Sequence, residues 1–158
     1  MRNTRNKKVL SATVASAVLL LGGLTACGEA ETSETLVAEA KQYIAKGDSK
    51  AAVIQLKNAL IKNPSDVEAR LALGALYNEN GDALSAEKEF SKASELGAAA
   101  DRTAPGLATA LLTQQKFQEA LDATAAQSAA ADAGIQAARG DALLGLRRAD
   151  EAKAAYDR

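Results

Sequence analysis

The chain lacks histidine and tryptophan, and it has a single cysteine among its 158 residues. Without His, neither a Ser-His-Asp or Cys-His catalytic group nor a His-ligated metal site can form, and one Cys allows no intrachain disulfide or thiolate metal cluster. The carboxylates, including Glu87, Glu89 and Glu95, are expected on solvated helix faces. The sequence therefore predicts a protein that is not an enzyme and has no metal, cofactor or small-molecule substrate.

The first 26 residues have the pattern of a lipoprotein signal peptide. A basic segment (Arg2, Arg5, Lys7, Lys8) precedes an apolar run over residues 9–24. The sequence Leu24-Thr25-Ala26-Cys27 resembles the bacterial lipobox, in which the Cys becomes the first mature residue and carries lipid. We therefore expect residues 1–26 to be removed and Cys27 to be acylated.

Two alternatives to acylation stay open. In the first, the apolar run stays in place as an uncleaved anchor. In the second, Cys27 is an incidental residue beside a conventional cleavage site. The first is disfavoured because a run of about 16 residues is short for a spanning helix, which needs roughly 20. A lipid anchor of several acyl chains at Cys27 is stable. Residues 27–35 are expected to form a polar tether that keeps the rest of the chain near the membrane. Because Gly28 is not the Asp that retains lipoproteins at the inner membrane, the expected location is the bacterial cell envelope, at the periplasmic face of the outer membrane.

The expected mature chain carries a net negative charge. Residues 1–26 hold four basic and no acidic side chains, so the remaining 132 residues carry 15 basic and 20 acidic ones, a net charge of −5. Nucleic-acid binding needs Lys and Arg that neutralise phosphates. An acidic chain without a basic stripe is not expected to bind nucleic acid.

A 34-residue repeat organises the chain after the tether. Small, aromatic and turn residues recur at that spacing: Ala40, Tyr43, Gly47, Asp48, Ala52, Leu56 and Ala59 return as Gly74, Tyr77, Gly81, Asp82, Ala86, Phe90 and Ala93. Two weaker copies follow: Leu107, Ala108, Leu111 and Ala120, then Gly140, Leu143 and Ala152. This period and register are typical of the tetratricopeptide repeat, a helix-turn-helix unit that buries its apolar face by stacking.

The predicted fold class is therefore all-α, a solenoid of antiparallel helix pairs over residues 36–158. Four units are expected: 36–64, 66–97, 103–134 and 135–158. The last is interpreted as truncated, because Arg158 falls within its second helix and no polar capping helix follows. Residues 123–134 are rich in Ala and are expected to form the weakest element.

Local signals place some helix boundaries. Ser65 and Glu68 have capping-box spacing, which predicts a helix starting at Asp66. Pro105 falls in the first turn of the third unit if Thr103 caps that helix. Four glycines are expected at helix junctions: Gly47, Gly81, Gly97 and Gly106.

The first helix of each unit is expected to line a concave wall that binds extended protein or peptide segments. The positions expected to face outward are Val37, Lys41, Ile44, Leu71, Ala75, Asn78, Thr109, Leu112 and Asp141. From these we select Lys41, Ile44, Leu71, Asn78 and Thr109 as candidate partner contacts. A Lys and Asn clamp for a peptide carboxylate is not assembled, because Val37 and Ala75 occupy two of its positions. Lys41 and Asn78 are otherwise solubilising residues.

Residues 40–48 and 51–60, with Pro64 and 68–71, resemble the start of the PEP-CTERM system tetratricopeptide lipoproteins, in which a lipobox also precedes the array. These are Gram-negative envelope lipoproteins associated with exosortase and exopolysaccharide loci. The resemblance implies a scaffold in surface-protein sorting or exopolysaccharide export. Glu39, where the repeat usually has Leu, departs from the pattern. A lipoprotein of pilus biogenesis or outer-membrane assembly and a non-lipidated periplasmic binding module are the alternatives.

Overall fold

The computed structural model describes residues 31–125 and 133–158. The predicted signal peptide, Cys27 and most of the Ala-rich stretch lie outside the described residues. Within them the chain forms helices and no strand, so the predicted all-α class is confirmed: α1 (Ser33–Ala45), α2 (Ser49–Lys62), α3 (Val67–Glu79), α4 (Ala83–Glu95), α5 (Ala100–Thr113), α6 (Phe117–Ala123), α7 (Ala133–Gly145) and α8 (Ala149–Tyr156). None of these helices is long and apolar enough to cross a membrane.

The helices form four antiparallel pairs, each made of an A helix (α1, α3, α5, α7) and a B helix (α2, α4, α6, α8). The A helices also contact one another in order along the stack, whereas the B helices contact chiefly A helices. The A helices therefore lie along the inner side of the array. The predicted small residues at the helix crossings are fully buried in all four pairs: Ala52, Ala86, Ala120 and Ala152.

One backbone turn recurs between the two helices of every pair. The residue in the left-handed region is Gly47 or Gly81 in the first two pairs, and Gln115 or Arg147 in the last two. The next residue donates its backbone N–H to the carbonyl five positions back, at 2.8–2.9 Å: Asp48 to Tyr43, Asp82 to Tyr77, Lys116 to Leu111 and Arg148 to Leu143. This bond closes a helix C-terminus. The repeat register read from the sequence thus holds in all four pairs.

The starts of α1 and α3 are set by side chains that cap them. The α1 helix begins at Ser33, three residues before the expected Leu36, because Thr32 and Thr35 form a capping box: the Thr35 N–H donates to Thr32 Oγ1 at 3.3 Å and the Thr32 N–H to Thr35 Oγ1 at 3.0 Å. At α3 the cap is Asp66, which accepts the Ala69 N–H at 3.0 Å. The expectation that Ser65 supplies this cap was wrong.

The start of α5 also differs from the expectation. The helix begins at Ala100 and has no side-chain cap, so Thr103 is a buried residue inside the helix and not its N-cap. Pro105 consequently lies in the second turn, where its missing N–H leaves the Asp101 carbonyl without its usual intrahelical donor. Thr103 and Ala104 are buried, and α5 packs against α3 and α4, so tertiary packing offsets the hydrogen bond lost at this proline.

Three aromatic rings, those of Phe90, Phe117 and Tyr156, pack against glycines within helices. Phe90 is buried against Gly74 and Gly106, and a Cβ placed on Gly106 would lie 2.1 Å from its Cζ. Tyr156 contacts Gly140 in the same way, with 2.3 Å from such a Cβ to the ring. Gly106 therefore lies inside α5, where it admits the Phe90 ring, and the expectation of a junction glycine was wrong.

Candidate functional site

The inner side of the first two pairs holds a shallow pocket between α1 and α3. We call it the A-helix pocket; it measures about 410 Å³ and is lined by Glu34, Val37, Ala38, Lys41, Asn63, Asp66 and Glu68. Its floor is apolar and its rim carries charges of both signs. Val37, expected to face outward, is buried and belongs to the core.

Asp66 fixes the geometry of this pocket. Its carboxylate accepts a hydrogen bond from the Ser33 hydroxyl. As the N-cap of α3, it also accepts one from the Ala69 N–H at 3.0 Å. The Ser33 hydroxyl also reaches the Ala59 carbonyl at 3.1 Å. Asp66 thereby joins the start of α1 to the start of α3, so the walls of the pocket are held by hydrogen bonds and not by loop contacts alone.

Two of the five candidate contacts are available on this side of the first pair. Lys41 is exposed and lines the A-helix pocket. Ile44 is 38% exposed near the end of α1, so a large apolar side chain is accessible one turn further along. Thr109 is also exposed, but it lies on α5, and its hydroxyl donates to the Pro105 carbonyl at 3.0 Å.

Leu71 and Asn78 have roles inside the fold. Leu71 is half-buried and packs against the core cluster around Phe90. The Asn78 side-chain amide donates to the Gly106 carbonyl at 2.8 Å, which ties α3 to α5. Substitution of either side chain would therefore change the packing between pairs as well as any surface they present.

The sequence reasoning missed Glu34, Ala38, Asn63 and Glu68, which complete the pocket. Glu34 and Ala38 are one turn from Lys41 or Val37 on the same helix face, so helical spacing gives a signal for them. Asn63 follows α2 at the end of the first unit, and Glu68 belongs to the next unit. Their approach to α1 depends on how the units stack, and no local pattern reports it.

Acidic side chains on α4 are not simply solvated. Arg70 Nη1 lies 2.6 Å from Glu89 Oε2, and the two side chains are only 13% and 11% exposed. Lys116 Nζ lies 2.8 Å from Glu87 Oε2, and the Gln114 amide donates to the same oxygen at 2.6 Å. The expectation of solvated faces was therefore wrong for Glu87 and Glu89. The partners come from α3 and from the turn between α5 and α6, which a one-helix pattern does not reveal.

The Glu87–Lys116 pair stabilises the charged forms of both groups, which does not favour acid–base chemistry. The Lys116 ammonium, followed by the Gln114 amide, lowers the pKa of Glu87, and Glu87 in turn raises the pKa of Lys116. A general acid at neutral pH needs a raised carboxyl pKa, which is the opposite shift. Over residues 31–125 and 133–158, no group of three or more Cys, Asp or Glu side chains is arranged to hold a metal ion.

Comparison with solved structures identifies the architecture. MamA from AMB-1 superposes with a TM-score of 0.69 at 19% identity, covering 79% of this chain and 69% of that one. MamA from MSR-1 gives 0.71 at 17% identity, covering 82% and 76%. A tetratricopeptide repeat protein from Parabacteroides merdae ATCC 43184 gives 0.65 at 22% identity, covering 81% and 51%.

The fold is that of the tetratricopeptide repeat. Identities of this size show the fold alone. Comparisons with models of known protein families and with curated protein sequences find no match. In tetratricopeptide arrays the stacked helix pairs form an extended concave surface, and the A-helix pocket lies on the A-helix side of this chain. The individual contact residues stay predictions.

Proposed function

We propose that this chain is a non-catalytic scaffold of the bacterial envelope that binds an extended segment of another protein on its A-helix side. The A-helix pocket carries this proposal. Its lining combines the apolar side chains of Val37 and Ala38 with the charged side chains of Lys41, Glu34 and Glu68. Apolar contact supplies affinity for a peptide side chain, and charges at the rim select its neighbours.

A substitution pair tests the pocket. In Ala38→Glu/Lys41→Glu, both changed side chains are exposed, so the helices should form normally while two added carboxylates repel the segment and obstruct the floor. We expect capture of partners from envelope extract to fall at least about tenfold, a loss typical of central interface residues. The matched control is Ala45→Glu/Lys88→Glu, which makes the same changes at exposed positions outside the pocket. Equal capture by both variants would exclude the pocket as the binding surface.

We propose further that Cys27 holds the scaffold on the membrane through lipid. The support is the lipobox resemblance of Leu24-Thr25-Ala26-Cys27 behind a basic and apolar leader. Metabolic labelling with a palmitate analogue should mark the wild-type chain and not Cys27→Ser. Labelling of both chains, or of neither, would reject the anchor. Recovery of the labelled protein with the inner membrane would reject the proposed outer-membrane location and leave the anchor in place.

The proposed setting is surface-protein sorting by an exosortase or exopolysaccharide export. Its support is the resemblance of residues 40–71 to the PEP-CTERM system lipoproteins. Genes beside the one encoding this chain test it: an exosortase or polysaccharide-export gene supports the setting. Neighbouring genes for pilus biogenesis or outer-membrane assembly would replace it, with the same scaffold serving a different assembly.

A further inference from the structure

The α2 helix differs in charge from the chain around it. Between Ser49 and Lys62 it carries three lysines and no acidic residue. Residues 27–158 as a whole have a net charge of −5. A helix of one sign in a chain of the other sign marks a surface with its own electrostatic preference.

Four residues of α2 form a continuous exposed row. Lys50, Ile54, Lys57 and Ile61 are spaced by four, three and four residues, which places them within an arc of about 60° along roughly 16 Å of helix. Ile54 is 60% exposed and Ile61 is 76% exposed. We call this row the lysine–isoleucine face. The opposite side of α2 is buried against the rest of the array through Ala52, Leu56 and Ala59.

The repeat itself does not demand this face. At the same positions one repeat later, α4 carries Leu84, Lys88, Ser91 and Glu95. The alternation of lysine with an exposed β-branched residue is therefore a property of α2 and not of the fold. Two isoleucines exposed to water about two helical turns apart add nothing to the stability of the array.

The lysine–isoleucine face ends beside the N-terminal end of the described residues. Lys62 Nζ lies 3.7 Å from Glu31 Oε2, and Ser33 Oγ lies 3.1 Å from the Ala59 carbonyl oxygen. Cys27 precedes Glu31 by four residues, a reach of at most about 14 Å in extended chain. Any membrane anchor at Cys27 would therefore hold Ile61 near the lipid surface.

We propose that the lysine–isoleucine face lies on an anionic phospholipid surface, as a second membrane contact beside the anchor. Its position relies on the proposed lipid anchor, but its chemistry does not. The isoleucines enter the boundary between headgroups and acyl chains, while the ammonium groups of Lys50 and Lys57 remain among the phosphates.

The side chains of Lys50 and Lys57 are exposed. Lys57 Nζ lies 5.9 Å above the Tyr77 ring, which holds its charge at the surface without neutralising it. The nearby acids Asp48 and Asp82 are N-caps, accepting the backbone N–H of Ala51 at 3.0 Å and of Ser85 at 3.1 Å. They remain charged, and the hydrogen bonds from Ser85, with a smaller effect of the Lys57 charge, lower the pKa of Asp82.

Vesicle sedimentation of residues 28–158 tests the face without the anchor. This chain contains every core cluster of the described residues and lacks Cys27, so the result is independent of acylation. Vesicles of phosphatidylcholine with phosphatidylglycerol should bind it, and those of phosphatidylcholine alone should bind it at least about tenfold more weakly, because each Lys near an anionic surface contributes to binding. Raising the salt to about 0.5 M should remove most of that difference by screening.

Matched variants locate the binding surface. Lys50→Glu/Lys57→Glu should bind the anionic vesicles at least about tenfold more weakly, and Ile54→Asn/Ile61→Asn should also weaken binding. Lys88→Glu/Lys153→Glu makes the same charge change at exposed residues on α4 and α8 and should bind like the unchanged chain. Equal binding to both kinds of vesicle, or an equal loss in the two lysine variants, would overturn the proposal. An acidic protein segment would then be the better occupant of the face.

Discussion

The first two helix pairs are reinforced more strongly than the last two. Side chains cap all four helices of the first half, through Thr32, Asp48, Asp66 and Asp82. In the second half, α5, α6 and α8 have no side-chain cap. The B helices also shorten, from 14 and 13 residues in α2 and α4 to 7 and 8 in α6 and α8.

The two halves also differ in their cores. Leu36, Leu56, Leu73 and Leu76 form one large cluster in the first half. The second half has smaller clusters in which alanines surround Leu111 or Leu143. A repeat can thus keep its backbone turn after it has lost caps and large apolar side chains. Because stability in an array is close to a sum over units and their interfaces, we expect it to be concentrated in the first half.

The largest expected effect comes from truncating a leucine to alanine at equivalent positions in the two halves. Leu73 is 2% exposed and Leu107, one repeat later, is half-buried. Leu73→Ala should cost about 2–5 kcal/mol of unfolding free energy, and Leu107→Ala about half as much, because the partly exposed site leaves a smaller cavity. Urea denaturation of residues 28–158 measures both. Equal losses would show that the two halves are equally well packed.

The features predicted from sequence are those that local residue types determine. The Gly47 and Gly81 turns and the small crossing residues Ala52 and Ala86 each have a backbone or volume requirement visible at one position. The missed features join distant residues. The pair Arg70–Glu89 spans 19 positions and lies within one unit but on two helices. Its geometry depends on the angle at which those helices cross, and so does the shape of the A-helix pocket.

Breaking the ion pairs of α4 should give the next largest effects. Glu89→Gln leaves the Arg70 guanidinium without its carboxylate in a nearly buried site, although that group keeps the Pro64 carbonyl at 2.6 Å. The expected loss is about 2 kcal/mol or more. Glu87→Gln, at a more exposed pair, should cost about 1 kcal/mol. Thermal denaturation of the two variants ranks them, and the reverse order would show that the Arg70–Glu89 pair contributes less to stability than the more exposed pair.

The pH dependence of the Glu87 pair sharpens this ranking. Lys116 lowers the pKa of Glu87 in the folded chain, so the stabilisation is complete above the ordinary Glu pKa and is lost as the pH falls through the lowered value. The raised pKa of Lys116 affects stability only at alkaline pH, where that stabilisation is lost as the pH rises. The difference in unfolding free energy between wild type and Glu87→Gln should therefore shrink between about pH 5 and pH 3. A constant difference over that range would show that the Glu87 charge does not account for the stabilisation.

The smallest expected effect is a gain in stability at the turn of the third pair. Gln115 has φ of 61°, where Gly47 and Gly81 have 77°. A residue with a Cβ is strained by about 1–2 kcal/mol in this region. Glycine removes that strain from the folded chain, but it also stabilises the unfolded chain by giving it more conformational freedom, so the net gain is smaller. Gln115→Gly should thus stabilise residues 28–158 by about 0.5–1 kcal/mol, and Gly81→Gln should destabilise them by a similar amount. Urea denaturation measures both changes. If Gln115→Gly were destabilising, the Gln115 side chain would contribute to the second half more than its backbone strain costs, and the two halves would differ less than their turns indicate.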